Sequence, residues 1–304
     1  MAAVYPVAAG TPSFSGTYTP EIYSGKTLIK FYKTAVLADI TNTDYEGEIK
    51  KQSDTVHIRT IPDITIADHQ INDEIDYETP EPTKVSLLID KGKRWAFAVD
   101  DIQAMQSDIA YVSKWTDDAG EQLALAIDAA VLADIYADAH ADNAGATAGA
   151  DTGELNMGVA GTPVLVDKTG IIDFIVDANT VCDEQSIPDS QRFMVLPPLF
   201  CGMIMKSELK DASITGDGTS IVRNGILGMI GTMTIYKSRN VNVSSSEHDV
   251  IFGHSAATTF ASQLVKNETL KNPKSFGDLV RGLQVYGYEV IKPEALGHAV
   301  IKKA

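Results

Sequence analysis

Cysteine is nearly absent from this 304-residue chain, which holds only Cys182 and Cys201. Two thiols cannot build a disulfide framework, so they read as small buried hydrophobes in a reducing compartment. No run approaches the roughly 18 apolar residues that a membrane span needs. The start, MAAVYPVAAGTPSFSGTYTP, has neither a basic region nor a continuous apolar stretch, and does not read as a signal peptide. Positive charge is scarce too. Lys and Arg total 25 against 41 Asp and Glu, a formal net charge of −16. A surface that acidic argues against coating nucleic acid, which needs cations for its phosphates, and against anchoring on anionic lipid.

Catalytic signatures are missing as well. Gly225, Gly228 and Gly231 do not spell a dinucleotide fingerprint, GDGTS at 216–220 lacks the lysine of a phosphate loop, and no Gly-x-Ser-x-Gly elbow occurs. The six histidines, at 57, 69, 140, 248, 254 and 298, are never three or four residues apart, so no helical metal pair exists. His140 between Asp138 and Asp142 reads as a solvated helix end; its remote alternative is a metal-dependent hydrolase built on those three residues. The acid-rich stretch 68–81 lacks the central glycine of a calcium loop. Asn267-Glu268-Thr269 is a chance glycosylation triplet. Trp95 and Phe97 beside Lys91, Lys93 and Arg94 could stack on nucleic acid, but read better as a strand with its aromatic face in a core. The chain is therefore expected to be no enzyme, with no cofactor and no metal.

What is present is an apolar fraction of 44%, enough for a real core and about two domains. Residues 1–25 contain Pro, Gly, Ser, Thr and Tyr but no Lys or Arg, and read as an extended arm. Lys26, Lys30 and Lys33, with Leu28, Phe31 and Ala35, suggest a short amphipathic helix over 26–40. Val56 and Ile58 alternate with polar neighbours, as do Val85, Leu87 and Ile89 on the way back. Between these strands, residues 68–81 hold six acids and no Lys or Arg. The whole reads as a projecting, acid-tipped β-hairpin that makes sense if a neighbouring subunit supplies its other face. Ile109, Val112, Trp115, Ala119, Leu123, Ile127, Val131 and Ile135 predict a helix over 100–140, about 45 Å long at 1.5 Å per residue, with a possible kink at Gly120. Residues 141–162 read as a flexible Gly/Ala/Thr-rich loop. Residues 163–265 read as a compact α/β unit with Thr169 capping a helix, a buried strand RFMVLPP and a short helix PLFCGMIMKSELK. The tail from Val280 alternates and predicts a strand.

Several segments resemble the major capsid proteins of tailed bacteriophages with the Hong Kong 97-type fold. KGKRWAFAVDDIQAMQSD resembles the passage from that family's E-loop into its peripheral domain. RFMVLPPLFCGMIMKS and GMIGTMTIYKSRNV resemble strands of its axial domain. HSAATTFASQLVKNETLKNPKSFGDLVRGLQVYGYEVIKPEAL resembles its closing stretch. The resemblance implies an α+β fold in five parts. Residues 1–45 would be the N-arm and short helix, 46–99 the E-loop hairpin, and 100–162 the P-domain spine helix and loop. Residues 163–265 would be the A-domain, and 266–304 the strands returning to the P-domain. It implies hexamers and pentamers of the chain itself, forming an icosahedral virion shell around double-stranded DNA, assembled in the host cytoplasm. A portal and decoration proteins would be further partners. A separate scaffolding protein would guide assembly, since the arm does not resemble the cleaved helical segment of some members. An encapsulin-like bacterial nanocompartment shell is the alternative on the same fold. No membrane is implied. Arg59, Asp73, Glu74, Asp76 and Glu78 on the hairpin are expected to meet a basic surface on the next subunit, and Arg94 and Trp95 to anchor the hairpin's base.

Overall fold

In a computed structural model of the chain, residues 33, 35–45, 55–62, 64–68, 77–100, 111–207, 228–273 and 275–304 are described. In chain order the elements begin with α1 (Leu37–Ile40), β1 (Thr55–Arg59), β2 (Lys84–Leu88), β3 (Lys91–Asp100) and α2 (Tyr111–Leu132). Then come β4 (Val164–Val166), α3 (Gly170–Glu184), β5 (Arg192–Leu196), α4 (Pro198–Lys206), β6 (Met229–Ile230), β7 (Met233–Lys237) and β8 (Val243–Ser244). The chain closes with β9 (Glu247–His254), β10 (Thr258–Lys271), β11 (Gly277–Val290) and β12 (Leu296–Lys303).

The strands form three sheets: a two-stranded ribbon β1-β2, a three-stranded sheet β10-β11-β3, and a seven-stranded sheet β4-β12-β9-β5-β7-β6 with β8 paired to β9. All five residues of β5 are buried, because both faces of the large sheet are covered. Met194 and Leu196 point into a core with Ile171, Phe174 and Ile175 of α3 and Phe200 and Ile204 of α4. Phe193 and Val195 point the other way, into a second core with Ile127 and Val131 of α2, Ile40 of α1 and Tyr286 and Val290 of β11. That second core joins the large sheet to the three-stranded one. Arg192 begins β5 and is 1% exposed. Its guanidinium donates to Asn179 and Thr232 at 2.9 and 3.1 Å and to the carbonyls of Pro188 and Ile187, and pairs with Asp183 at 2.6 Å and Asp189 at 3.1 Å. A buried arginine so fully bonded fixes the end of α3 against the sheet.

Four expectations need correction. The long helix ends at Leu132, not near residue 140, and gives way to short 3-10 turns at Ile135–Asp138 and Ala141–Asn143. The turn tightens so that Ile135, 1% exposed, reaches the second core. The 22 described helical residues span about 33 Å, and run through Gly120, which has open space around it. Trp115, expected on the apolar stripe, is 45% exposed. The loop 141–162 is not a loose tether. Met157 and Ala148 are fully buried in it, and the Asn143 amide donates to the carbonyls of Glu294 and Leu296 at 2.6 and 3.1 Å. Gly158, at φ +76°, lets it close on the sheet, since a Cβ there would meet the Val300 carbonyl and the Val164 amide. Finally, Thr169 makes no side-chain cap. Asp167 does so instead, accepting from the backbone N–H groups of Thr169 and Gly170 at 2.9 and 2.7 Å. Of the helix expected over 26–40, only Leu37–Ile40 is helical among the described residues, most of the remainder lying outside them.

Three histidines sit on β9 and β12, and burial pushes each imidazole below its usual value. In His248 and His298 the Asp249 carboxylate works in the opposite direction, while in His254 the Lys292 and Arg192 charges add to the effect. His298 bonds Asp249 at 3.0 Å and lies 4.8 Å from the Tyr136 ring. The folded state thus keeps imidazoles neutral that the unfolded chain protonates near pH 6.5. Their contribution is complete above that pH and is lost as the pH falls below it. The thermal midpoint should therefore drop between pH 7 and 5.5, and His298→Gln should drop less over the same window. Equal slopes for the two proteins would show that His298 plays no such part.

Candidate subunit-contact surface

The hairpin's ribbon pairs from Thr55 opposite Leu88 to Arg59 opposite Lys84. Two strands alone are marginal in water, so the root must be held from outside. Ile58, Leu87 and Ile89 are buried there with Ala261 of β10, flanked by Tyr45, Val285 and Ile291. Gly287 on β11 makes the approach possible, because a Cβ at that position would collide with the Leu88 carbonyl. Beside the root, the Lys91 ammonium lies 3.7 Å from the centre of the Tyr288 ring, 2.5 Å from its hydroxyl and 3.2 Å from Asp134. The Tyr288 hydroxyl in turn donates to Asp134. Those two donors hold the Asp134 carboxyl below its usual range, the tyrosine contributing most. Burial, followed by the Asp134 acceptor, pushes Tyr288 up to about 12. Burial opposes the Lys91 charge, yet the two hydrogen bonds raise it above its ordinary value.

Farther out, Thr60 and Thr83 continue the ribbon through an N–H to carbonyl bond of 3.0 Å and a hydroxyl pair at 2.5 Å. Beyond them the arm loses its own core. Ile61 is 94% exposed, Ile66 91% and Tyr77 91%, with Ile64 also exposed. So many large apolar side chains exposed on one segment are uncommon on a protein surface and single it out as the candidate contact surface.

The expected contact residues divide. Arg59 is exposed on β1, directly opposite the like-charged Lys84. The Glu78 carboxyl accepts from the Thr65 N–H at 2.7 Å, fastening one side of the arm to the other. Asp73, Glu74 and Asp76 lie outside the described residues. Arg94 and Trp95 do not sit at the root. They lie farther along β3, paired with Leu283 and Gly282 of β11, and successive strand residues face opposite ways. Trp95 stacks on Phe97 at 5.5 Å, and Phe97 meets the edge of Trp115 on α2 at 5.5 Å. Gly282 leaves room for the indole, which a Cβ would strike. Arg94 is exposed on the other face. The apolar root is the functional feature that sequence reasoning missed, although the alternation of Val56, Ile58, Val85, Leu87 and Ile89 was a signal for it.

The Asp138–His140–Asp142 region is a turn cap. His140 Nδ1 accepts the Asp142 N–H at 3.3 Å. Among the described residues, no three His, Cys, Asp or Glu side chains converge as a metal would require. Cys182 and Cys201 are buried free thiols; burial pushes them up to about 12 and about 11. No described helix is long and apolar enough to cross a membrane.

Residues 83–299 match the model of a family described as phage capsid protein. Among solved structures, a chain of Mycobacterium phage Che8 is 25% identical, with a TM-score of 0.76 over 95% of this chain and 98% of that one. A capsid chain of the cyanophage P-SCSP1u is 14% identical, with a TM-score of 0.72 over 94% of each. A capsid chain of a native GTA particle is 14% identical, with a TM-score of 0.66 over 95% and 97%. No curated protein sequence matches.

Valine in place of Gly287 should lift the ribbon from its root while leaving the cores folded. A loss of about 1.4 kcal/mol in docking would make proteolysis within residues 60–83 about tenfold faster, with an unchanged near-ultraviolet circular dichroism spectrum. Cleavage at the wild-type rate would show that the close approach of Gly287 does not hold the arm.

Proposed function

We propose, from the premise that this chain belongs to the phage capsid protein family, that it builds a phage head as pentamers and hexamers closed around double-stranded DNA. It has the Hong Kong 97-type capsid fold and a structural, major-capsid role. The observation that carries the finer reading is the arm: a ribbon rooted in its own subunit whose outer half carries exposed Ile61, Ile66 and Tyr77. A subunit that leaves such surfaces open is completed by its copies. Each contact is weak alone, but a subunit in a shell makes many at once.

In this reading residues 1–45 are the N-arm and short helix and 46–99 the E-loop. Residues 100–162 carry the spine helix, 163–265 the A-domain, and 266–304 the returning strands, the last of which, β12, runs in the seven-stranded sheet. The chain works as a wall and not as an enzyme. The net charge of −16 supports a lining that encloses DNA without gripping it. A separate scaffolding protein would set the curvature during assembly in the host cytoplasm. A portal would occupy one vertex, and decoration proteins would add to the finished virion surface.

Negative-stain electron microscopy of the chain, expressed alone and with its upstream neighbouring gene, tests this directly. Closed shells, or rings of five and six, are expected. Uniform 32.7 kDa monomers in both preparations would overturn self-assembly.

A further inference from the structure

The chain passes directly between the seven-stranded and the three-stranded sheet twice: from β9 to β10 through residues 255–257, and from β11 to β12 through residues 291–295. One carbonyl ties the two crossings together. The Ala257 oxygen accepts the Ile291 and Lys292 N–H groups at 2.8 and 3.2 Å. The turn that presents this oxygen is closed by His254. Its carbonyl accepts the Ala257 N–H at 2.9 Å, and Nδ1 of its half-buried ring accepts the Ala256 N–H at 3.0 Å. A side-chain acceptor two residues before the amide is the device by which Asn and Asp fix turns. With Nδ1 accepting, the ring proton sits on Nε2, and the ring also bonds the Ser190 backbone in the turn before β5. Arg192 lies directly opposite His254 on β5, paired with Asp183 and Asp189. Lys292 and Glu294 of the second crossing line, with Gln185 and Pro188, a cavity of about 230 Å³ beside the ring. Burial first, and then the Lys292 and Arg192 charges, hold the imidazole below its ordinary value.

We propose that His254 is a proton-sensitive latch on the joint between the two sheets: neutral, it closes the turn that ties both crossings together, and protonated, it releases that turn and swings into the cavity. The device lies within one subunit and stands apart from the capsid reading. A protonated ring carries a hydrogen on Nδ1, which would face the Ala256 N–H, donor against donor. It would also place a third cation beside Lys292 and Arg192. Swinging outward relieves both conflicts, because the cavity admits water and brings the ring's charge to the Glu294 carboxylate. Ala256 and Ala257 are then free to turn, and the bonds from Ile291 and Lys292 to the Ala257 carbonyl weaken with them. Each opening takes up one proton. The latch is therefore closed above about pH 6.5, the value of a free imidazole, and its opening grows by up to about tenfold per pH unit below that.

Amide hydrogen exchange of the full chain between about pH 7.5 and 5.5, corrected for the intrinsic pH dependence of exchange, tests the latch. In peptides covering residues 255–257 and 290–293, opening should rise by up to about tenfold per pH unit below about 6.5, while β5 stays protected throughout. His254→Asn supplies an oxygen that accepts the Ala256 N–H and takes up no proton. Its opening should stay flat over the same range, and His254→Gln is the second variant of that kind, used if Asn disturbs β9. Crossings in the wild-type chain whose opening ignores pH would overturn the latch. So would an equal response in the variant, which would assign the effect to another group. Loss of protection in β5 together with the crossings would also overturn it, since that is unfolding of the whole frame and not release of a joint.

Discussion

The Asp128 carboxyl group, 1% exposed on α2, accepts three N–H donors: the backbone amides of Val36 and Leu37 at 2.9 Å each, and the Asn240 side chain at 2.5 Å. The first two belong to the chain entering from the N-terminal side, the third to the turn that follows β7. One side chain therefore ties the entering segment, the long helix and the large sheet together. Removing it would strand three donors, at about 1–3 kcal/mol each where they are buried. The apolar residues around it, among them Ile40, Ile127, Val131 and Val241, keep water out. With α2 fixed there, the aromatic stack of Trp95, Phe97 and Trp115 orients the three-stranded sheet, and β11 in turn carries the hairpin's root.

The molecule thus divides into a rigid frame and an arm that is rigid only at its base. The frame has two dry cores on either side of one sheet, with a fully bonded Arg192 at its edge. The arm has three buried side chains at its root, Ile58, Leu87 and Ile89, set against Ala261 of β10, and exposed apolar residues beyond. Such a division suits a shell, in which the frame keeps its shape while the arm adapts to neighbours at different angles. Charge follows the same division. The chain is acidic as a whole, with a net charge of −16, which discourages adhesion to nucleic acid. Three of its cations, Arg94, Lys266 and Arg281, share one face of the three-stranded sheet with Glu268.

Much of this was legible in the sequence. The all-apolar stretch of β5, the alternation of β1 and β2, the heptad-like stripe of α2 and the resemblance to capsid proteins led to an α+β capsid fold, and the similarity to capsid structures agrees with it. Local patterns failed where distant residues decide. Glycine and alanine between 141 and 162 suggested looseness, yet Gly158 is there so that a turn can touch Val300. Thr169 looked like a cap, but Asp167, two residues earlier, takes that part by accepting from the Thr169 and Gly170 amides. Trp95 looked like the hairpin's anchor because it is close in sequence, whereas the anchor is assembled from residues 58, 87, 89 and 261. Nothing in the pattern around Asp128 marks it as a junction, since its partners lie about a hundred residues away on either side.

The central claim is that the frame is complete within one subunit while the arm is completed only by a neighbour. Amide hydrogen exchange on free subunits and on assembled shells measures this most directly. The account predicts that amides within residues 60–83 exchange quickly in free subunits and slow by orders of magnitude in shells, while β5, β9 and β12 stay equally protected in both. Equal protection of residues 60–83 before and after assembly would contradict it.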